Sequence, residues 1–170
     1  MSERLFAALW PDDTVRAALA DAAGRLALSG RAVAPRNLHA TLVFLGNVDA
    51  ERRRCIEQAI DGVNAGPFQC VLTHAEWQRR SRIVWLAAEE VPPALGALVA
   101  SLQSALQACG HAPERRLYRL HVTLARDVAR AARRQPIAPI AWSVRDLCLV
   151  SSRLGAGGSE YEVVRRWLLG

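Results

Sequence analysis

Asn37-Leu38-His39-Ala40-Thr41-Leu42-Val43-Phe44-Leu45-Gly46 and Leu120-His121-Val122-Thr123-Leu124-Ala125-Arg126 contain the same pattern, His-x-Thr-Leu. Each copy lies in an apolar run that reads as a strand: Leu38 to Leu45, stopped by Gly46-Asn47, and Leu120 to Ala125. Side chains alternate between the two faces of a strand. His39 and Thr41 therefore share a face, as do His121 and Thr123. Leu42 and Phe44, or Val122 and Leu124, point the other way, into a core. A lone histidine on a strand is ordinarily a structural residue. Here two of only four histidines fall in a repeated pattern, which points to a shared site.

The segments around these strands place them in a fold. Leu5 to Trp10 reads as a buried strand closed by Pro11. Asp12 or Asp13 caps a helix to about Leu28, with Val15, Ala18, Leu19, Ala22 and Leu26 at helical spacing. Asp49 caps a second helix to about Val63, whose first turns carry Arg52-Arg53-Arg54 against the helix dipole. Phe68 to Trp77 and Ile83 to Ala88 read as a hairpin with a basic tip. Pro92-Pro93 open a third helix that ends near Cys109-Gly110. Arg130 to Pro139 reads as a loop. Trp142 to Leu154 and Tyr161 to Leu169 read as further strands around Gly155-Ala156-Gly157-Gly158. Strands outnumber helices and several adjoin through hairpins, which predicts an α+β fold with antiparallel sheets. No Gly-x-Gly-x-x-Gly follows a strand, so a dinucleotide fingerprint is missing. No linker divides the chain.

The 170 residues suit one domain with a sizeable core. A hydrophobic fraction of 51% with 22% charged residues excludes a disordered chain. The net charge is +6, and all 22 basic residues are arginine. Lysine chemistry is thereby excluded: no Schiff base and no P-loop lysine. Compositional bias accounts for the choice of arginine. What the bias leaves is a permanent cation whose planar fork matches phosphate oxygens. Leu5 to Trp10 falls far short of the ~20 residues a bilayer needs, and Pro11-Asp12-Asp13 is no cleavage site, so neither a membrane span nor a signal peptide is expected. Cys55, Cys70, Cys109 and Cys148 are scattered without a C-x-x-C pair. They predict neither a zinc knuckle nor a disulfide framework, but reduced, mostly buried thiols in a cytoplasmic chain.

Two strands facing each other would set two imidazoles and two hydroxyls around one small cavity. That set suits phosphoryl transfer without a metal. Hydrolysis of a cyclic phosphodiester needs a base for water and an acid for the departing oxygen, on opposite sides of phosphorus. Histidine, with an ordinary pKa near ~6.5, can fill either role. Threonine hydroxyls can hold non-bridging oxygens or orient the rings. A zinc site would need a third ligand. His74 and His111 are the only other histidines; His74 reads as structural and His111 as exposed, and no H-E-x-x-H or cysteine cluster supports a metal.

The paired H-x-T-x motifs resemble those of the 2H phosphoesterase superfamily, and within it the RNA 2′,3′-cyclic phosphodiesterase family, once called 2′-5′ RNA ligases. The resemblance spans nearly the whole chain. It extends from Arg4-Leu5-Phe6-Ala7 through both motifs and Trp77 to Leu86, to Ser151-Ser152-Arg153-Leu154, Tyr161 and Arg166-Trp167. It departs at Leu120, where the family often has proline. The resemblance implies one domain over residues 1–170, in which two intertwined lobes related by a pseudo-twofold each bring one motif to a central cleft. It implies hydrolysis of RNA 2′,3′-cyclic ends to 2′-phosphates with no metal or cofactor. His39 would be the proton donor and His121 the proton acceptor, with Thr41, Thr123 and Arg126, five residues after the second histidine, on the phosphate. The implied partner is such an RNA end or a related nucleotide, and the chain is expected to be a monomer. Alternatives are another 2H activity (on cyclic nucleotides or 2′-5′ oligonucleotides, or RNA ligation) and a non-catalytic RNA- or nucleotide-binding module. Strict alternation puts Arg126 opposite His121, so reaching the phosphate requires a bulge or strand end near Ala125. Arg79-Arg80-Arg82, Arg115-Arg116-Arg119 and Arg133-Arg134 form basic clusters. Each alone reads as a solvated face, but several beside one cleft would make a track for an RNA backbone.

Overall fold

The structure, a computed structural model, describes residues 2–155 and 158–170. Ala156 and Gly157, in the glycine-rich turn predicted from sequence, lie outside the described residues. The fold is α+β, with two antiparallel sheets and three α-helices among the described residues. The first sheet has the order β3 (Ala40–Val48), β1 (Glu3–Leu9), β8 (Asp146–Gly155), β9 (Gly158–Leu168). The second runs β2 (Arg31–Ala32), β6 (His121–Arg126), β5 (Ile83–Ala87), β4 (Phe68–Gln78), β7 (Arg134–Val144). No described helix is long and apolar enough to cross a membrane.

β1 is covered on both faces, which explains its unbroken apolar run. Leu5, Ala7 and Leu9 enter the main core, while Phe6 and Ala8 join Cys148 and Val150 in a smaller cluster on the other face. Helix α1 (Asp13–Arg25) starts where the Asp12 carboxylate accepts from the Val15 amide at 2.8 Å and buries Val15, Leu19 and Ala22. It stops short of Leu28 because Ala27 turns to a φ of +46°. Helix α2 (Ala50–Asp61) is capped by Asp49. The arginines of its first turns are used locally: Arg53 pairs with Glu57 and Glu3, and Arg52 donates to the Cys109 carbonyl. Helix α3 (Pro93–Leu106) is the most apolar and buries five side chains, from Leu95 to Leu106.

Four expectations are corrected. The segment predicted as a loop, Arg130 to Pro139, contains the start of β7. Its prolines are compatible with a strand because β7 is the sheet edge, where a missing N–H breaks no ladder. The stretch Trp142 to Leu154 is two strands, not one: β7 ends at Val144, and β8 begins at Asp146 in the other sheet. Phe44 is not in the core but 50% exposed. β3 slips register twice against β1, so that Leu42 and Leu45 are extra residues and the alternation resets. Finally, Cys55 and Cys109 form a disulfide that ties α2 to the 3₁₀ turn Gln107–Cys109 after α3. The pair lies 54 residues apart and meets only because α2 and the end of α3 pack together. Cys70 and Cys148 are buried thiols, and burial pushes both up to about 12. The expectation of reduced, buried thiols therefore holds for Cys70 and Cys148 and fails for Cys55 and Cys109.

Closing a loop of this length should stabilise the folded state by about 4 kcal/mol on chain-entropy grounds. Urea unfolding of Cys55→Ala should show a loss of about 2–4 kcal/mol. Adding a thiol reductant should lower the stability of the parent protein and leave the variant unchanged.

Candidate active site

The two motif histidines head strands in different sheets, His39 just before β3 and His121 as the first residue of β6. One hydrogen bond joins the two motif regions directly. The Tyr118 hydroxyl, on the segment leading into β6, donates to the Thr41 carbonyl at 3.0 Å. Burial pushes the Tyr118 phenol up, so it stays a neutral donor. This side chain therefore ties the approach to β6 to β3.

Both imidazoles are held the same way. His39 Nδ1 lies 2.6 Å from the Asn37 carbonyl oxygen, and His121 Nδ1 lies 2.9 Å from that of Arg119. A carbonyl only accepts, so each Nδ1 carries the hydrogen and each neutral ring keeps its lone pair on Nε2. His39 Nε2 is 3.0 Å from Thr41 Oγ1, so the motif threonine hydroxyl donates to it. The Asn37 carbonyl is itself anchored, because its side chain donates to the Ser159 carbonyl of β9 at 2.8 Å.

The surroundings of the two rings differ. His39 sits in an aromatic box: Trp10 stacks at 5.5 Å, Phe6 is tilted at 4.9 Å and Tyr161 meets it edge-on at 5.2 Å. The Arg16 guanidinium covers Trp10 and donates to the carbonyls of Pro11 and Pro35, bracing the chain before His39. Burial lowers the His39 pKa to about 4; the Asn37 carbonyl pulls the other way, and the positive charges of His121, Arg126 and Arg16 add to the lowering. Among the described residues His121 is flanked by one aromatic ring, Trp85, at 4.7 Å. His121 and Arg126 thus lie near enough to His39 for their charges to act on it.

β6 slips register at Leu124: Trp85 pairs with Thr123 and Val84 with Ala125. Leu124 and Ala125 are both buried, and Arg126 turns outward onto the His121 side. The same slip occurs at Leu42 in the first motif. The fifth residue after each histidine, Phe44 and Arg126, is thereby returned to the motif face. Gly30 fixes the end of β6. Its φ is +102°, and a Cβ there would lie 2.6 Å from the Arg126 carbonyl oxygen. Sequence reasoning missed Gly30, the two carbonyls and the aromatic box, because none carries a motif. The shared spacing of Phe44 and Arg126 was a usable signal. Of the remaining histidines, His74 is buried and bonded to Thr73 and Glu76, and His111 is half-buried in a loop. Neither joins the pair.

Two antiparallel sheets that each turn an H-x-T strand to a common cleft make this a 2H phosphoesterase fold. A sequence model of the 2′-5′ RNA ligase superfamily matches residues 11–156, and the chain belongs to that family. It is 34% identical over 143 residues to the RNA 2′,3′-cyclic phosphodiesterase of Escherichia coli K12, covering 83% of this chain and 81% of that protein. It is 30% identical to the protein of the same name from Archaeoglobus fulgidus, covering 95% and 98%. The crystal structure of E. coli LigT complexed with 3′-AMP superposes with a TM-score of 0.91 at 30% identity, over 99% of both chains.

In an NMR titration the His39 ring should protonate near 4, and Arg126→Gln should raise that value by removing a like charge. Because the unfolded ring protonates near ~6.5, stability should fall as pH drops from about 6.5 toward 4, the window in which the unfolded chain binds the extra proton. Gly30→Ala should cost about 1–3 kcal/mol in urea unfolding, because the methyl group must displace the end of β6.

Proposed function

We propose that the chain hydrolyses RNA 2′,3′-cyclic phosphate ends to 2′-phosphomonoesters, using His121 as base and His39 as acid. What carries the reading is the common tether of the two rings. Each gives Nδ1–H to the carbonyl two residues upstream and keeps its lone pair on Nε2, where Thr41 donates to His39 until substrate displaces it. The names of the E. coli and A. fulgidus relatives support the substrate class.

The reaction is written in line. His121 Nε2 takes a proton from water as the water oxygen bonds to phosphorus. The bond from phosphorus to the 3′-oxygen breaks, and His39 Nε2–H protonates that oxygen. Thr41, Thr123 and Arg126 bind the non-bridging oxygens, with arginine supplying charge-assisted bonds. Neither step calls on a metal, so a chelator should leave the rate unchanged. His39 is neutral in the free protein at neutral pH and must be charged to act as an acid. An anionic cyclic phosphate against it offsets the neighbouring cations and favours proton uptake on binding.

The test is turnover of an RNA with a 2′,3′-cyclic end in the presence of EDTA. His39→Ala and His121→Ala should each lose about 10²–10⁴-fold in kcat, and Arg126→Gln about 10²-fold in kcat/KM. A substrate with sulfur at the 3′ leaving position needs little protonation there, so it should restore much of the rate to His39→Ala and none to His121→Ala. The pH profiles of kcat and kcat/KM should differ, since the bound phosphate raises the His39 pKa. Tight binding of the cyclic end without turnover would make the protein a binding module instead.

A further inference from the structure

Six arginines, Arg79, Arg80, Arg119, Arg130, Arg133 and Arg134, line a groove of about 1100 Å³ at the hairpin end of the five-stranded sheet, with Glu76 as its one carboxylate. They come from the β4–β5 tip, the approach to β6 and the segment between β6 and β7. This long-range convergence joins basic clusters that are separate in the sequence. Arg115 and Arg116 are not part of it; Arg116 pairs locally with Glu114.

The groove opens on the sheet face that carries the second motif. Thr123, Trp85, Glu76 and Arg134 stand directly opposite one another across β6, β5, β4 and β7, so they share one sheet face. Three inter-strand steps separate Thr123 from Arg134, roughly 14 Å. Arg119 is the junction. Its carbonyl accepts from His121 Nδ1, and its guanidinium donates to Glu76 Oε1 at 2.8 Å. His74 Nε2 lies 3.0 Å from the same Glu76 oxygen, and Arg134 pairs with Glu89. Arg79, Arg80, Arg130 and Arg133 are exposed and make no ion pair among the described residues. Unpaired arginines leading away from a phosphate site match a polymer with an anion at every repeat.

We infer that this groove holds the phosphodiester backbone of the nucleotides immediately 5′ to the cyclic end, making the protein selective for an RNA strand over a cyclic mononucleotide. The inference rests on the proposed function for which end of the strand enters the cleft, and on the groove alone for strand binding. The groove meets backbone rather than base edges, so it confers little sequence preference.

Two substrates separate the groove from the cleft. A nucleoside 2′,3′-cyclic phosphate fills only the cleft, whereas a short oligoribonucleotide with the same end fills both. In Arg79→Gln/Arg80→Gln/Arg130→Gln/Arg133→Gln, kcat/KM for the oligonucleotide should fall about tenfold or more, through KM. Turnover of the cyclic mononucleotide should change less than about twofold, which also shows that the variant is folded. The slope of log affinity against log salt should shrink by about 0.7 for each phosphate that the variant no longer neutralises. Equal loss on both substrates, no loss on either, or a parent protein without preference for the strand would overturn the inference. Fluorescence anisotropy with an RNA ending in a 3′-hydroxyl tests the groove without chemistry. If the parent hydrolyses neither substrate yet binds this RNA, and the variant does not, the groove stands and the hydrolytic reading falls. Tighter binding of a polyglutamate peptide than of RNA would assign the groove to an acidic protein segment and overturn it.

Discussion

Leu42 and Leu124, the fourth residue of each motif, are inserted out of register in β3 and β6, and both are buried. Burying a leucine is worth about 2 kcal/mol, so neither strand can regain regular pairing without exposing an apolar side chain. The slip keeps two consecutive residues in the core and turns the next one out. Phe44 and Arg126 owe their position on the motif face to it. The rest of the cleft is built on these two strands: the Gly30 approach to the Arg126 carbonyl, the Tyr118 bridge to Thr41, and the row from Thr123 to Arg134.

The same backbone serves the chemistry. Each imidazole is fixed through Nδ1 by a carbonyl, which neither titrates nor rotates away, so both rings keep the lone pair on Nε2, which in His39 accepts from Thr41. The two environments then diverge. His39 is enclosed by Phe6, Trp10 and Tyr161, which lowers its affinity for a proton. Among the described residues His121 has one aromatic neighbour and an arginine-lined groove beyond it. Two residues in the same His-x-Thr-Leu pattern are thus set apart by what the fold packs against them. The cationic surroundings disfavour a second positive charge on His39.

Much of this was legible in the chain, because period and punctuation are local. Asp12 and Asp49 cap helices where the sequence places them, and the His-x-Thr-Leu repeat marks the two strands and four of the side chains around the cleft. The misreadings share a cause. Pro136 and Pro139 argue for a loop until β7 is known to lie at the sheet edge. Arg145 looks like the middle of one strand until the chain is seen to change sheets there. Phe44 looks buried until the bulges are counted. Cys55 and Cys109 have no spacing that betrays their bond. Each depends on a neighbour far away in sequence.

The sequence by itself determined the α+β class, the helix starts and the pair of imidazoles and hydroxyls, since alternation along a strand and capping at a helix end need only a few adjacent residues. Only the tertiary structure decided that Arg126 turns to the His121 side rather than into the core, that His39 and His121 have different surroundings, that two of the four cysteines are bonded, and which arginines share a groove. These follow from register, burial and long-range packing, quantities that a single strand or helix does not contain.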